Sequence, residues 1–528
     1  MDITSLIAEL SKPEIYPHDV QRVELRQTHI SVICLTDDVV YKIRKPVKFS
    51  FLDFSTLAQR RFDCEREVEL NQRLAPDVYL GIVPIVRRNG RVSVEGPGEI
   101  IDWAVKMNRL PDSATLEHRL QRGEVGPEMI GMLGRRLAAF HAAAASGAHI
   151  AEYGRYEAIS HNVLENLEVV QGNGDAVIDS EQLARLTQLI RQRLESDREL
   201  IDRRKERGVP RDTHGDLRLD HVYFFPDRLP PADLCVIDCI EFNDAFRYAD
   251  PVADIAFLIM DLKYHGHPEL ARRLTDEYFL AAGDEEGRQL LPLYVSYRAA
   301  VRAKVATLAL AESEIPEAER KAASERARGL WLLALSELEA PWRRPCLVLV
   351  GGLQGTGKTT LARGLAEVAG FTVIRTDVVR KELIEESQRS SPGRTNTVGI
   401  YAEERIDQTY DECLRRAVEL LRRGRRVIVD ATFSREVQRQ RFLDAARRLG
   451  MPGYFLNCQA DSEIVHRRLD ERSGDASDAD WQVYQTSVSK WEKAGNSTAR
   501  VMTLVDCGQS AEAARDFAVD VLRKADLL

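Results

Sequence analysis

Nowhere among its eight cysteines does the sequence place two at the C-x-x-C spacing of a zinc or redox motif. They are scattered through apolar contexts and read as small core residues; Cys235 and Cys239 merely flank a short apolar run. No stretch of about 18 apolar residues offers a membrane helix. The opening MDITSLIAEL has neither the basic flank nor the long apolar core of a secretion signal. A cytoplasmic protein without a membrane partner is expected. Positive charge is in deficit, 74 Lys and Arg against 83 Asp and Glu for a net −9, which argues against broad affinity for polyanions. Nucleic acid is therefore a less favoured partner than a small molecule. Internal repeats and low-complexity tracts are absent, and RRGRR at 422–426 reads as the solvated end of a helix. Nothing in the composition specifies an oligomeric state.

What is present is ordinary globular material, 44% apolar and 30% charged over 528 residues, enough for two or three cores. From about residue 344 short apolar runs (CLVLV, FTVIR, RVIVD, GYFLNC) alternate with helical patterns, among them a charged helix over 402–423. That alternation predicts an α/β domain over 344–528, with a parallel sheet covered on both faces. LEAPWRRP, residues 338–345, interrupts an Ala/Leu-rich helix and marks a linker. Before it, residues 29–44 and 79–107 predict a small antiparallel sheet with a helix, AQRRFDCEREVELNQRL, between them. Beyond residue 125 helices dominate. The first domain, 1–340, thus reads as an N-lobe of about 1–108 and a helical C-lobe of about 109–340.

GLQGTGKTT carries the Walker A spacing directly after a strand and at the start of a helix. Gly352, Gly355 and Gly357 let the backbone N–H groups turn inward around phosphates, with Thr356 and Thr360 in the same cradle. Lys358 reaches the terminal phosphate oxygens and Thr359 can hold Mg²⁺. After the next strand, Asp377 and Arg380 lie one helical turn apart. The carboxylate could take a proton from an attacking hydroxyl, and the guanidinium could hold an anionic acceptor. Asp430 ends VIVD as a carboxylate that acts on Mg²⁺ directly or through one of its other ligands. Arg467, Arg468 and Arg472 precede the Gly/Ser/Asp-rich SGDASD in the manner of a lid, with Arg472 nearest the hinge. These features resemble P-loop small-molecule and polynucleotide kinases, including gluconate kinase and zeta-toxin relatives. The resemblance implies ATP as cofactor and a hydroxyl acceptor.

RDTHGDLRLDHVYFF, residues 211–225, concentrates His214, Asp216, Asp220 and His221 among strand-forming residues, and CVID follows with Asp238. The pattern THGDLRLDHV…VIDCIEFNDAFRYADPVADIAFL resembles the aminoglycoside phosphotransferase and choline-kinase-like family. That resemblance implies a bilobal α+β protein-kinase-like fold, Asp216 as catalytic base and Asp238 as Mg²⁺ ligand. It also implies a strand lysine paired with a helix glutamate at the ATP phosphates. Lys42 and Glu67 fit, with Lys45 and Glu65 or Glu69 as alternatives within one turn. No well-formed Gly-rich loop precedes Lys42. WAVKMNRLP, residues 103–111, would be the hinge that meets adenine. The departure lies at the other metal-ligand position that the resemblance implies, residue 221, where the family has an Asn oxygen on Mg²⁺ and this chain has His221; Mg²⁺ prefers oxygen to imidazole, so metal binding there is expected to be weakened, altered or supplied by neighbouring Asp220. His214 reads as a structural residue that fixes the loop. The joined architecture resembles bacterial proteins in which such a domain precedes a P-loop kinase-like domain. The expected function is an ATP- and Mg²⁺-dependent phosphotransferase with two nucleotide sites acting on a small-molecule hydroxyl. Alternatives are a polynucleotide 5′-hydroxyl kinase and a regulatory ATP-binding switch with a degenerate first domain.

Overall fold

A computed structural model describes residues 2–49, 52–168, 177–310, 316–390, 403–471 and 481–528. They form two compact units, one of residues 1–161, 197–262 and 268–294, the other of residues 162–196, 263–267 and 295–528. Among the described residues, no helix is long and apolar enough to cross a membrane.

The first unit begins with a six-stranded antiparallel sheet of Glu24–Gln27 (β1), Ser31–Leu35 (β2), Val39–Arg44 (β3), Tyr79–Arg88 (β4), Arg91–Val94 (β5) and Glu99–Asn108 (β6). The strand order is β1-β2-β3-β6-β4-β5. Side chains alternate along a strand, so β3 sends Tyr41 and Ile43 into an apolar core with Leu10, Val32 and Ala104. Lys42 and Arg44 consequently share the opposite face, toward helix Leu57–Asn71 (α1). Thr56 and Gln59 close a reciprocal capping box at the start of α1. A hairpin of Val222–Phe224 (β7) and Leu234–Val236 (β8) lies further along, Val222 opposite Val236. Helix Pro127–Ala143 (α2) packs on helix Pro268–Ala282 (α3), with Gly134 close enough that an added Cβ would sit 3.2 Å from the Tyr278 backbone nitrogen.

The second unit is built on a fully parallel sheet. Its strands are Leu347–Gly351 (β9), Thr372–Arg375 (β10), Val427–Asp430 (β11), Gly453–Gln459 (β12) and Met502–Asp506 (β13), in the order β10-β11-β9-β12-β13. Both faces are apolar, because Leu347, Leu349, Val427 and Val429 join one core while Val348, Val350 and Ile428 join the other. Leu332, on helix Glu317–Leu338, is part of the first of these cores. The second unit therefore takes in chain well before residue 344, where the sequence marked off its domain. LEAPWRRP breaks the helix, but the apolar face of that helix is already buried with the sheet, and burial rather than the chain break sets the boundary.

Leu349→Ala empties a fully buried position in the central strand, and is expected to cost about 2–5 kcal/mol in urea denaturation. Leu504→Ala on edge strand β13, where the side chain is 50% exposed, is expected to cost less than about 1 kcal/mol.

Candidate functional site

In the second unit the phosphate loop follows β9 and opens helix Lys358–Ala369 (α4). Gly352 has φ +135°, and a Cβ there would lie 2.3 Å from the Cys458 carbonyl oxygen, so no side chain is admissible. Thr356 Oγ1 donates to Leu353 O at 2.7 Å and Lys358 Nζ donates to the same carbonyl at 2.8 Å, folding the loop over its own end. The loop borders a cavity of about 300 Å³ lined by Gly355, Gly357, Lys358, Thr359, Thr360 and Arg468.

Parallel register puts the carboxylate beneath it. Val350 is paired with Asp430, and Arg375 with Asp430 from the other side, so three strand ends converge at one edge of the sheet. Thr359 Oγ1 donates to Asp430 Oδ2 at 2.7 Å, and Arg375 Nε stands 3.3 Å from the same oxygen. Thr359 and Asp430 are an all-oxygen pair and fit Mg²⁺. A phosphate fits beside them. Arg468 Nη1 is buried without a hydrogen-bond partner among the described residues and lies 3.7 Å from the point a Cβ of Gly357 would occupy.

Asp377 and Arg380 sit in the first turns of helix Thr376–Ser390 (α5), directly after β10 at the same edge. They pair with each other, Oδ1 to Nη2 at 2.9 Å. Of the lid arginines, Arg468 reaches the loop cavity and donates to Cys507 O at 2.9 Å. Arg472, the arginine favoured on sequence, lies outside the described residues. Arg375 and Cys507 were not singled out from sequence. Arg375 could have been found as the last residue of the strand that runs beside Asp430.

The first unit gathers a second set of groups. Lys42 Nζ lies 2.8 Å from Glu67 Oε1 and 2.9 Å from Asp238 Oδ1. Burial opposes its charge, but Asp238 and Glu67 outweigh burial and hold the ammonium well above the usual lysine range. The alternatives fall away on geometry: Lys45 donates to Thr28 O, Glu65 pairs with Arg61, and Glu69 pairs with Arg66. Arg44, fully buried, ties Glu67 to Asp63 and Glu241. Period two on β3 and an i,i+4 step on α1 suffice to bring these charges together. Lys42 in turn holds the Asp238 carboxyl far below the usual carboxylate range.

Asp238 has φ +64°, a left-handed backbone rare for any side chain but glycine, and its N–H donates to the Tyr79 hydroxyl at 3.2 Å. Ile237 N–H donates to His221 O at 3.0 Å, extending the β7–β8 hairpin so that His221 and Asp238 emerge side by side. Asp216 completes the group, and one ligand atom from each of the three lies within 4.8 Å of the others. Asp220, expected as a substitute cation ligand, is instead paired with Arg218, because that side chain two residues back captures its carboxylate. With an imidazole among the ligand atoms, this cluster does not fit the all-oxygen shell of Mg²⁺.

The loop carrying Asp216 is pinned from below. Asp254, fully buried, accepts from His214 N–H at 3.0 Å, Gly215 N–H at 2.8 Å and the His141 imidazole at 3.0 Å. Gly215 has φ +85°, and a Cβ would press on Phe246 O at 3.0 Å. His214 is structural, as its sequence context suggests. Its Nε2 bonds Ile237 O at 3.1 Å and its Nδ1 accepts from Asp216 N–H at 3.3 Å.

A family model described as an AAA domain matches residues 347–493. The chain is 33% identical over 461 residues to the uncharacterized protein Rv2004c of Mycobacterium tuberculosis (strain ATCC 25618 / H37Rv), a match covering 87% of this chain and 88% of that one. The uncharacterized protein Mb2027c of Mycobacterium bovis matches at the same 33% identity and coverage. Among solved structures, a sugar kinase from Janibacter sp. HTCC2649 is 20% identical with TM-score 0.28, covering 34% of this chain and 96% of its own. A gluconokinase from Sinorhizobium meliloti 1021 is 16% identical with TM-score 0.27, covering 35% and 94%.

Burial pushes the His214 imidazole from 6.5 down to about 4. Its folded value lies below its unfolded one, so its share of stability is complete above pH 6.5 and is lost as pH falls toward 4. Denaturant titrations across that window should show a loss of up to about 3 kcal/mol that His214→Gln removes.

Proposed function

The chain belongs to the same family as the mycobacterial protein Rv2004c, and we propose that it is a nucleotide-dependent phosphotransferase, an ATP-dependent kinase with two nucleotide sites that phosphorylates a hydroxyl of a small molecule. The observation that carries this reading is the Thr359–Asp430 hydrogen bond of 2.7 Å beneath a phosphate loop whose cavity also receives Lys358 and Arg468.

In the second unit, loop N–H groups and the start of α4 bind the phosphates, and Lys358 turns from Leu353 O to the outer phosphate oxygens. Mg²⁺, when bound by Thr359 and Asp430, supplies charge neutralisation. Arg468 adds positive charge to the same cavity. Asp377 takes the proton of the acceptor hydroxyl on its carboxylate, and Arg380, paired with it at 2.9 Å, keeps that carboxylate oriented.

In the first unit, the aminoglycoside-phosphotransferase and choline-kinase-like reading draws its support from the Lys42–Glu67 pair at 2.8 Å and from Asp216 beside Asp238. There Lys42 would hold phosphate oxygens, Asp238 would hold a cation, which supplies charge neutralisation when bound, and Asp216 would accept the hydroxyl proton.

Calorimetry of the intact chain with a nonhydrolysable ATP analogue should give two sites, one lost in Lys358→Ala and the other in Lys42→Ala. Absence of binding to the intact chain overturns the proposal. Among phosphoryl acceptors found by a metabolite screen, transfer by the second unit should fall about 10²–10⁴-fold in Asp377→Asn with analogue binding retained. Unchanged transfer removes Asp377 from its role.

A further inference from the structure

Asp216, His221 and Asp238 differ from an ordinary acidic cluster in the way the imidazole is set. His221 Nδ1 bonds the Asp216 backbone carbonyl at 3.0 Å. A carbonyl only accepts, so the proton sits on Nδ1 and the Nε2 lone pair is left for another partner. That nitrogen faces Asp238 Oδ2 at 3.6 Å. Bonds of about 2.1 Å from one ion to both atoms would bring them to about 3.0–3.5 Å, a small contraction. Asp238 is divided to suit: Oδ1 is taken by Lys42 at 2.9 Å, and Oδ2 is the oxygen turned to His221. His221 is 9% exposed and its ring is held by the Nδ1 bond to the Asp216 carbonyl, so the imidazole stays in place rather than yielding to water that would complete an oxygen shell.

Resting on the reading of the first unit as a phosphotransferase site, we propose that His221 Nε2 and Asp238 Oδ2, with Asp216 beside them as the base, form the protein side of a divalent-cation site selective for a first-row transition ion, taking Mn²⁺ in preference to Mg²⁺. Mg²⁺ is bound through oxygen and sheds its water reluctantly, whereas an imidazole nitrogen beside a carboxylate oxygen suits Mn²⁺ and the ions that follow it in the series. The first unit then uses a different ion from the oxygen-only pair Thr359 and Asp430.

Mn²⁺ alone, titrated into the full chain without nucleotide, tests this by electron paramagnetic resonance with Mg²⁺ as competitor. One Mn²⁺ should bind with ¹⁴N coupling from a coordinated imidazole, and its displacement should need about a 10-fold or greater excess of Mg²⁺. His221→Asn, which offers an oxygen in place of nitrogen, should abolish the ¹⁴N coupling and remove the preference; His221→Gln serves if the thermal melt shows that His221→Asn does not fold. A bound Mn²⁺ without nitrogen coupling overturns the proposal, as does displacement by an equal concentration of Mg²⁺. In the Lys358→Ala background, ATP-analogue binding supported equally by both ions overturns the cation preference and leaves the phosphotransferase reading standing. No analogue binding with either ion overturns the reading of the first unit itself.

Discussion

A lysine ammonium enclosed by protein must be matched by carboxylates held as firmly as it is. In the first unit that match is made by Glu67 and Asp238 together, 2.8 and 2.9 Å from Lys42. Glu67 is immobile because Arg44 holds its other oxygen, and Arg44 is itself buried against Asp63 and Glu241. The strand, the helix and the turn after β8 are thereby tied through one positive charge. Without Lys42 the carboxylates of this cluster would repel each other in a poorly solvated space. The rest of the site, from the left-handed turn at Asp238 to the seat of His221, follows from where that charge is fixed.

The second unit meets the same electrostatic demand by a different route. Its positive groups are mostly backbone N–H dipoles at the end of a strand, which need no burial of a salt bridge and no long side chain to be ordered. Parallel register does the placing, since β9, β10 and β11 end level with one another at Asp430. Side chains enter as additions: Lys358 and Thr359 from the helix start, Arg375 from the neighbouring strand, Arg468 from the segment after β12.

How much of this was legible in the sequence depends on whether the relevant spacing is local. The phosphate loop is one continuous stretch with a strand before it and a helix after it, and its position could be read directly. Lys42 and Glu67 were readable as a strand–helix pair but not distinguishable from Lys45, Glu65 or Glu69, because hydrophobic pattern leaves register open by a turn. Contacts then decide it. Asp220 illustrates the opposite case, in which a residue of suitable chemistry is captured by an arginine two positions away. Asp254 and His141 carry no local signature, since their partners are 40 and 113 residues off. The limit of the second unit was likewise hidden, because Leu332 precedes a Pro-rich break yet belongs to the sheet's core.

The parallel sheet separates two kinds of change that a sequence can undergo. The segments that follow the strands hang from that edge and send only some of their residues, such as Val379 after β10 and Phe433 after β11, into the cores. Replacements at their partly exposed positions, such as Asp377 and Arg380 after β10, can accordingly change what stands at that edge while the packed strands stay as they are. Such a layout permits drift in the side chains along that edge at little cost to folding.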